Sequence, residues 1–288
     1  MHALSGAALD ARLRAFLAED VGGGDITSEA TVPASAAARG TIVAKSGCVV
    51  SGLAAARRTF ELLDPKIWWD APVSPGERVD TGTAVAKLSG QARAVLTAER
   101  VALNLLQRMS GIATETRRFV DAVAGTPCRI YDTRKTAPGL RDFDREAVRD
   151  GGGVNHRNTL FDQVLIKDNH RRLAGGVGRA VTAARALLPA GGIVEAEVET
   201  EDQLREALEA GADQILIDNQ TPETVARWMA IARQRQPPPW VEASGNMSLA
   251  TVRRYALAGP DCVSVGALTH SVRAADLSLD LDVDRGHE

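Results

Sequence analysis

The sequence predicts an α/β protein in two parts: a small N-terminal α/β unit with an antiparallel sheet, then a larger body of alternating strands and helices. Three observations predict it. At roughly 150 residues per domain, a chain of 288 residues suggests about two domains, or one large barrel with an appendage. The first hundred residues hold short β-like runs broken by Gly and Pro. From residue 127 onward, short apolar runs ending in a polar or charged residue alternate with helical stretches, the pattern of parallel βαβ units. Six such strands can be counted, short of the eight of a full (β/α)₈ barrel, and a barrel is favoured over an open doubly wound sheet.

Each element has its own signal. Leu9, Leu13, Phe16 and Leu17 recur at helical spacing over residues 8–19, before the turn-rich EDVGGGDITS. GTIVAKSGCVVSG, APVSPGERVDTGT and AVAKLSG read as short strands and turns, with a helix over roughly 53–63. A long helix is expected from about 97 to 123, with Thr97 as its N-cap, linking the two parts. The strands of the larger body are CRIYDTRK, QVLIKDN, IVEAEVE, QILIDN, WVEASG and CVSVGAL. Between most of them lie helix signals. Thr200 with Gln203 fits a capping box, and Pro222 suits the first position of a helix.

Composition narrows the class of function. Hydrophobic residues make up 44% and charged residues 25%, an ordinary globular mix that excludes a disordered or collagen-like chain. Thirty-four basic against 37 acidic residues give a net charge of −3, which argues against a general nucleic-acid binder. Cys48, Cys128 and Cys262 lie far apart, in no metal-ligand spacing, and point to a reducing compartment. The opening MHALSGAALDARLRAFLAED lacks a basic-then-apolar signal, and no apolar run reaches the 18 or so residues of a membrane span, so a cytoplasmic location is expected.

In a βα barrel the active site lies at the C-terminal ends of the strands, so the residues ending each run carry the functional argument. These are Asp132-Thr133-Arg134-Lys135, Lys167-Asp168-Asn169-His170, the alternating Glu195, Glu197 and Glu199, Asp218-Asn219, Glu242-Ala243-Ser244-Gly245 and Val265-Gly266. GGGVNHR adds His156 and Arg157. One mouth would then gather Arg134, Lys135, Arg157 and Lys167 beside Glu197 and Asp218. Like charges about 4 Å apart repel by roughly 4 kcal/mol at an effective dielectric near 20, so the cations call for an anionic ligand. Arg suits bidentate grip on carboxylate or phosphate, and the two acids offer hard oxygen ligands for Mg²⁺. The glycines near the last strands suit backbone N–H binding of a phosphate. Bland readings stand beside these: strand-end Lys and Arg as solvated rim, Glu195 and Glu199 as ion-pair partners, His170 and His270 as core hydrogen-bonders, and His2 and His287 as inert.

The ordered motifs DTRKTAPGL, GGGVNHR, VLIKDNH, VEAEVET, ILIDN, EASGN and SVGALTHS, with EDVGGGDITS and LTAERVALNLLQRMSGIAT before them, closely resemble the quinolinate phosphoribosyltransferase family (nicotinate-nucleotide pyrophosphorylase, carboxylating) over nearly the whole chain. The resemblance implies an N-terminal α/β sandwich (1–112), to which the tail 271–288 returns, and an incomplete α/β barrel of about six strands (113–270). It implies a homodimer with shared active sites. The reaction it implies is Mg²⁺-dependent transfer from phosphoribosyl pyrophosphate to quinolinate, giving nicotinate mononucleotide, pyrophosphate and CO₂ in de novo NAD synthesis.

By position, Arg100 would reach quinolinate in the neighbouring subunit's site, while Arg134, Lys135, His156, Arg157 and Lys167 would bind its two carboxylates. Glu197 and Asp218 would hold the ribose hydroxyls and Mg²⁺, directly or through substrate and water. Ser244, Gly245, Asn246 and Gly266 would take the 5′-phosphate, with His270 nearby, and Thr133 and Val265 complete the candidate set. Asn158-Thr159 and Pro260 depart from the family's usual residues without touching the charged set. The rivals are a paralogous phosphoribosyltransferase for another base, of the molybdate-transport-associated type, a Schiff-base lyase using Lys135 or Lys167, and a phosphate-ligand sensor.

Overall fold

The computed structural model describes residues 6–282; His2, His287 and the last six residues of the tail lie outside them. The chain opens with helices α1 (Gly6–Val21) and α2 (Ile26–Thr31), then strands β1 (Ala37–Ala44) and β2 (Cys48–Val49), helix α3 (Leu53–Leu63), and strands β3 (Trp68–Asp70), β4 (Arg78–Val79) and β5 (Ala84–Gln91). It continues through α4 (Ala92–Ala122), β6 (Arg129–Tyr131), α5 (Arg141–Asp150), β7 (Val164–Ile166), α6 (Asp168–Ala174) and α7 (Val177–Leu187). The rest alternates: β8 (Val194–Val198), α8 (Glu201–Glu209), β9 (Gln214–Asp218), α9 (Pro222–Ala232), β10 (Trp240–Ser244), α10 (Val252–Leu257), β11 (Cys262–Ser264), α11 (Ala267–His270) and β12 (Leu277–Asp282).

Two compact units result: residues up to 117 with 137–152 and the chain from 271, and residues 118–136 with 153–270. The first unit is built on an antiparallel sheet in the order β12-β1-β5-β3, with β2 and β4 paired apart from it. Strand β1 alternates exposed and buried residues, which sets one face on a core of Ile42, Phe60, Leu88, Val95 and Leu106. The chain's end joins this sheet as β12, where Leu277 pairs with Ala44.

The sequence division falls at residue 112 and the compact units part at 117, both within α4, while residues 137–152 pack with the first unit. Asp144 on α5 is fully buried and accepts two hydrogen bonds from the Arg108 guanidinium, at 2.8 and 2.9 Å. Ser51 Oγ donates to Asp150 at 2.6 Å, and Gly151 lies so close to α4 that an added Cβ would stand 2.6 Å from the Ala113 carbonyl. Thr97 is not an N-cap. The helix begins at Ala92, directly after β5, and Thr97 Oγ1 bonds to the Arg93 carbonyl inside it, at 2.8 Å. Only half of the predicted capping box forms: Thr200 accepts from the Gln203 N–H, while Gln203 Oε1 accepts from Glu199 N–H rather than from its own cap.

The second unit is a six-stranded parallel sheet in the order β6-β11-β10-β9-β8-β7. From β7 to β11 each strand lies beside its predecessor, and β6 follows β11. That is singly wound barrel order; an open doubly wound sheet would reverse direction partway. The sheet is curled. His156, in the connection leaving edge strand β6, meets Glu242 on β10 and Glu195 on β8. Edge strands β6 and β7 do not pair, and Val154 bridges to Tyr131 beside the gap. This is an incomplete α/β barrel.

Candidate active site

Alternate residues of each strand face the barrel interior, and they descend in a consistent order. On β9 these are Gln214, Leu216 and Asp218; on β10, Trp240, Glu242 and Ser244. The residues at and beyond the C-terminal strand ends surround a cavity of about 430 Å³. Ten predicted site residues line it: Thr133, Arg134, Lys135, His156, Arg157, Lys167, Glu197, Asp218, Ser244 and Asn246. Strand-end position brought them together across strands far apart in sequence.

The other candidates lie elsewhere. Gly245 has φ +105, and a Cβ there would stand 2.2 Å from Asn219 Oδ1, so this turn after β10 requires glycine. Gly266 sits between Lys135 and His270, with room for a Cβ only 3.1 Å from Lys135 Cδ. Val265 is buried and donates its N–H to the Tyr131 carbonyl at 2.9 Å. His170 helps to cap α6, its Nδ1 accepting the Lys167 N–H at 2.9 Å. Arg100 is exposed on α4 and does not line the cavity.

Asp168, Asn219 and Glu242, named in the sequence among the strand-end residues but given no binding role, also line the cavity, as does Glu199, for which an ion-pair role was the bland reading. Two-residue spacing from Ser244 could have found Glu242. Asp132, fully buried, shapes the mouth from below by accepting the His156 N–H and the Asn155 amide, each at 2.6 Å.

Two electrostatic problems meet here. Burial, and the facing charge of Arg134, pull the Arg157 guanidinium below its ordinary pKa. Arg134 Nε is buried and has no hydrogen-bond partner among the described residues. Both observations fit an anion that belongs among these cations. Opposite them, burial and the neighbouring Asp218 raise the Glu197 pKa, while burial and Glu199 raise that of Asp218. Ligand oxygens of Glu197, Glu199 and Asp218 lie within 4.8 Å of one another, a hard donor set that suits a divalent cation. Arg171 already pairs with Glu199 at 2.9 Å and approaches Glu197 at 3.8 Å, so it partly balances this acid group.

Beneath the mouth, His156 Nε2 lies 3.0 Å from Glu242 and 3.6 Å from Glu195, both buried. Its Nδ1 accepts the Arg157 backbone N–H at 2.8 Å, which describes the neutral ring. Burial opposes charging this ring, but hydrogen bonds to Glu195 and Glu242 and their Coulomb attraction outweigh it and push the pKa up to about 10. The Nδ1 contact, a neutral hydrogen bond of about 1 kcal/mol, is the weaker constraint. A pKa near 10 makes the ring cationic at neutral pH, held by the two carboxylates.

A barrel mouth that sets clustered cations against a carboxylate trio has the chemistry to hold an anionic substrate. Comparison with known proteins gives the family. The family model described as "Quinolinate phosphoribosyl transferase, N-terminal domain" matches residues 25–110, and the C-terminal domain model of the same family matches 112–280. The probable nicotinate-nucleotide pyrophosphorylase [carboxylating] of Bacillus subtilis is 41% identical over 93% of this chain and 92% of its own length. A mitochondrial quinolinate phosphoribosyltransferase [decarboxylating] of Nicotiana glauca is 39% identical over 93% of this chain and 80% of its own. The crystal structure of NadC from Streptococcus pyogenes superposes with a TM-score of 0.92 at 37% identity, over 98% of this chain and 99% of that one. The chain belongs to the quinolinate phosphoribosyltransferase family.

Proposed function

We propose that this protein transfers the phosphoribosyl group of phosphoribosyl pyrophosphate to quinolinate with loss of CO₂, giving nicotinate mononucleotide and pyrophosphate. The observation that carries this reading is the single cavity joining Arg134, Lys135, Arg157 and Lys167 to Glu197 and Asp218. The four cations take the two carboxylates of quinolinate and aim its ring nitrogen at C1′ of the ribose, which is catalysis by positioning. The nitrogen's lone pair forms the new bond as the C1′–O bond to pyrophosphate breaks. Glu197 and Asp218 hold the ribose hydroxyls and stabilise the positive charge that builds on the sugar. Once the ring is a pyridinium, it accepts the electron pair released when the 2-carboxylate leaves as CO₂, and a proton then replaces that carboxylate. No protein nucleophile is needed.

Glu197 and Asp218, joined by Glu199, are the residues that would hold Mg²⁺. Bound Mg²⁺ would neutralise the leaving pyrophosphate. Backbone N–H groups from Ser244 to Asn246 and at Gly266 take the 5′-phosphate, with His270 beside them. His156 sits behind Arg157 and adds positive field to the quinolinate pocket. A second copy of the chain supplies Arg100, so the working form is a homodimer, acting in the cytoplasm; among the described residues no helix is long and apolar enough to cross a membrane. The test is product analysis with phosphoribosyl pyrophosphate and Mg²⁺, offering quinolinate or nicotinate as acceptor. Nicotinate mononucleotide from quinolinate, abolished by chelator and restored by Mg²⁺, is expected. Faster turnover of nicotinate would overturn the assignment.

A further inference from the structure

The inward faces of the strands end in a second cavity at the opposite, N-terminal end of the barrel. It measures about 320 Å³ and is lined by Arg129, Gln214 and Trp240, the first inward residues of β6, β9 and β10, by Gln163 just before β7, and by Tyr131 above them. A barrel of this type is ordinarily plugged by branched apolar side chains at such a layer. Here the layer is polar and aromatic. The Arg129 guanidinium lies 5.0 Å from the centre of the Trp240 ring and 5.7 Å from that of Tyr131, which holds it by cation–π attraction. Its N–H donors form no hydrogen bond or ion pair among the described residues. Gln214 Oε1 accepts weakly from Gln163 Nε2, at 3.4 Å, which leaves the Gln214 amide nitrogen available. The remaining charged groups facing the cavity are His156, Arg157 and Glu242. Glu242 is engaged by His156, so its charge does not oppose an incoming anion.

We propose that this cavity is a second ligand site, for a small planar aromatic carboxylate. The carboxylate takes parallel N–H bonds from Arg129, with Gln214 as a further donor, and its ring lies against Trp240 and Tyr131. The volume is at the lower end of small-molecule sites and accommodates a single ring. His156, Arg157 and Glu242 line both cavities, so occupancy here bears on the loop that holds Arg157 at the active mouth. The proposal does not depend on the assigned reaction, because none of Arg129, Gln214 and Trp240 lines the mouth.

Benzoate is the probe, and Trp240 is the reporter. Titration of the full-length protein should change tryptophan fluorescence saturably, and Trp240→Phe should remove that change. Arg129→Ala should weaken binding roughly tenfold or more, as loss of charged hydrogen bonds implies. Arg129→Lys, which keeps the charge and loses the fork, should weaken it too. Quinolinate turnover without benzoate should stay at the wild-type level in both variants, which also reports on folding. Arg134→Ala, altered only at the mouth, should bind benzoate as the wild type does. The proposal is overturned by the absence of saturable binding up to about 10 mM, by binding unchanged in both Arg129 variants, or by binding lost in Arg134→Ala.

Discussion

Glu242→Gln isolates one half of the buried charge cluster beneath the active mouth. The substitution keeps the side chain's size and an acceptor oxygen near His156 Nε2, and removes one of the two carboxylates that hold the ring's charge. The His156 pKa of about 10 stands roughly 3.5 units above its ordinary 6.5, worth roughly 5 kcal/mol at about 1.4 kcal/mol per unit. Both Glu195 and Glu242 contribute to it, so losing one should cost roughly 2 kcal/mol, less than the about 3–5 kcal/mol of leaving a buried charge with no partner at all. A raised pKa stabilises the fold fully below the unfolded value, near pH 6.5, and the benefit fades as pH rises through about 10. The variant should therefore be less stable than the wild type near pH 6, with the gap closing toward pH 10. Titration of the His156 ring by NMR should give a pKa lower by about 1.5 units, and urea unfolding at several pH values should give the matching stability gap. An unchanged His156 titration, or stability curves that run parallel from pH 6 to 10, would refute the assignment of charge to this ring.

Four further outcomes follow from the contacts and from the proposed function. Arg134→Ala should raise KM for quinolinate by about ten- to a hundredfold, the worth of a charged hydrogen bond, while leaving that for phosphoribosyl pyrophosphate within about twofold in steady-state kinetics. Gly245→Ala forces a Cβ onto Asn219 at a positive φ, so it should raise KM for phosphoribosyl pyrophosphate more than for quinolinate and lower stability by about 1 kcal/mol or more in urea unfolding. Asp144→Ala removes the buried acceptor of two Arg108 hydrogen bonds and should cost about 3 kcal/mol in the same assay. Arg100→Ala and Arg134→Ala, each impaired alone, should recover activity when mixed and allowed to exchange subunits, since one hybrid site then has both arginines.

Much of this molecule can be read from its sequence because barrel strands end in their chemistry. Asp132 to Lys135, Lys167, Glu197, Asp218 and Ser244 each close an apolar run, and the barrel rule alone carries them to one mouth. The six-strand count holds because each strand keeps its own apolar run, and from β7 onward each is followed by its own helix. Interior partners were harder to find. Glu242 sits within the strand two residues before Ser244, where its role depends on a histidine 86 positions away. Residues 137–152 read as part of the barrel by chain order, but the buried Arg108–Asp144 pair and the close approach of Gly151 to α4 bind them to the other unit. The start of α4 was misread for a local reason: a threonine before a helical pattern resembles a cap, yet the helix had begun at Ala92, straight from β5. No periodicity marks the polar layer at Arg129, Gln214 and Trp240, since each lies at the start of a different strand.

The most direct test of the central claim is stoichiometry with quinolinate carrying labelled carbon in its 2-carboxylate. With phosphoribosyl pyrophosphate and Mg²⁺ present, labelled CO₂, pyrophosphate and nicotinate mononucleotide should form one for one for one, and none should form when phosphoribosyl pyrophosphate is omitted. Pyrophosphate released without labelled CO₂, or labelled CO₂ released without phosphoribosyl pyrophosphate, would contradict ribosylation of the ring as the step that enables decarboxylation.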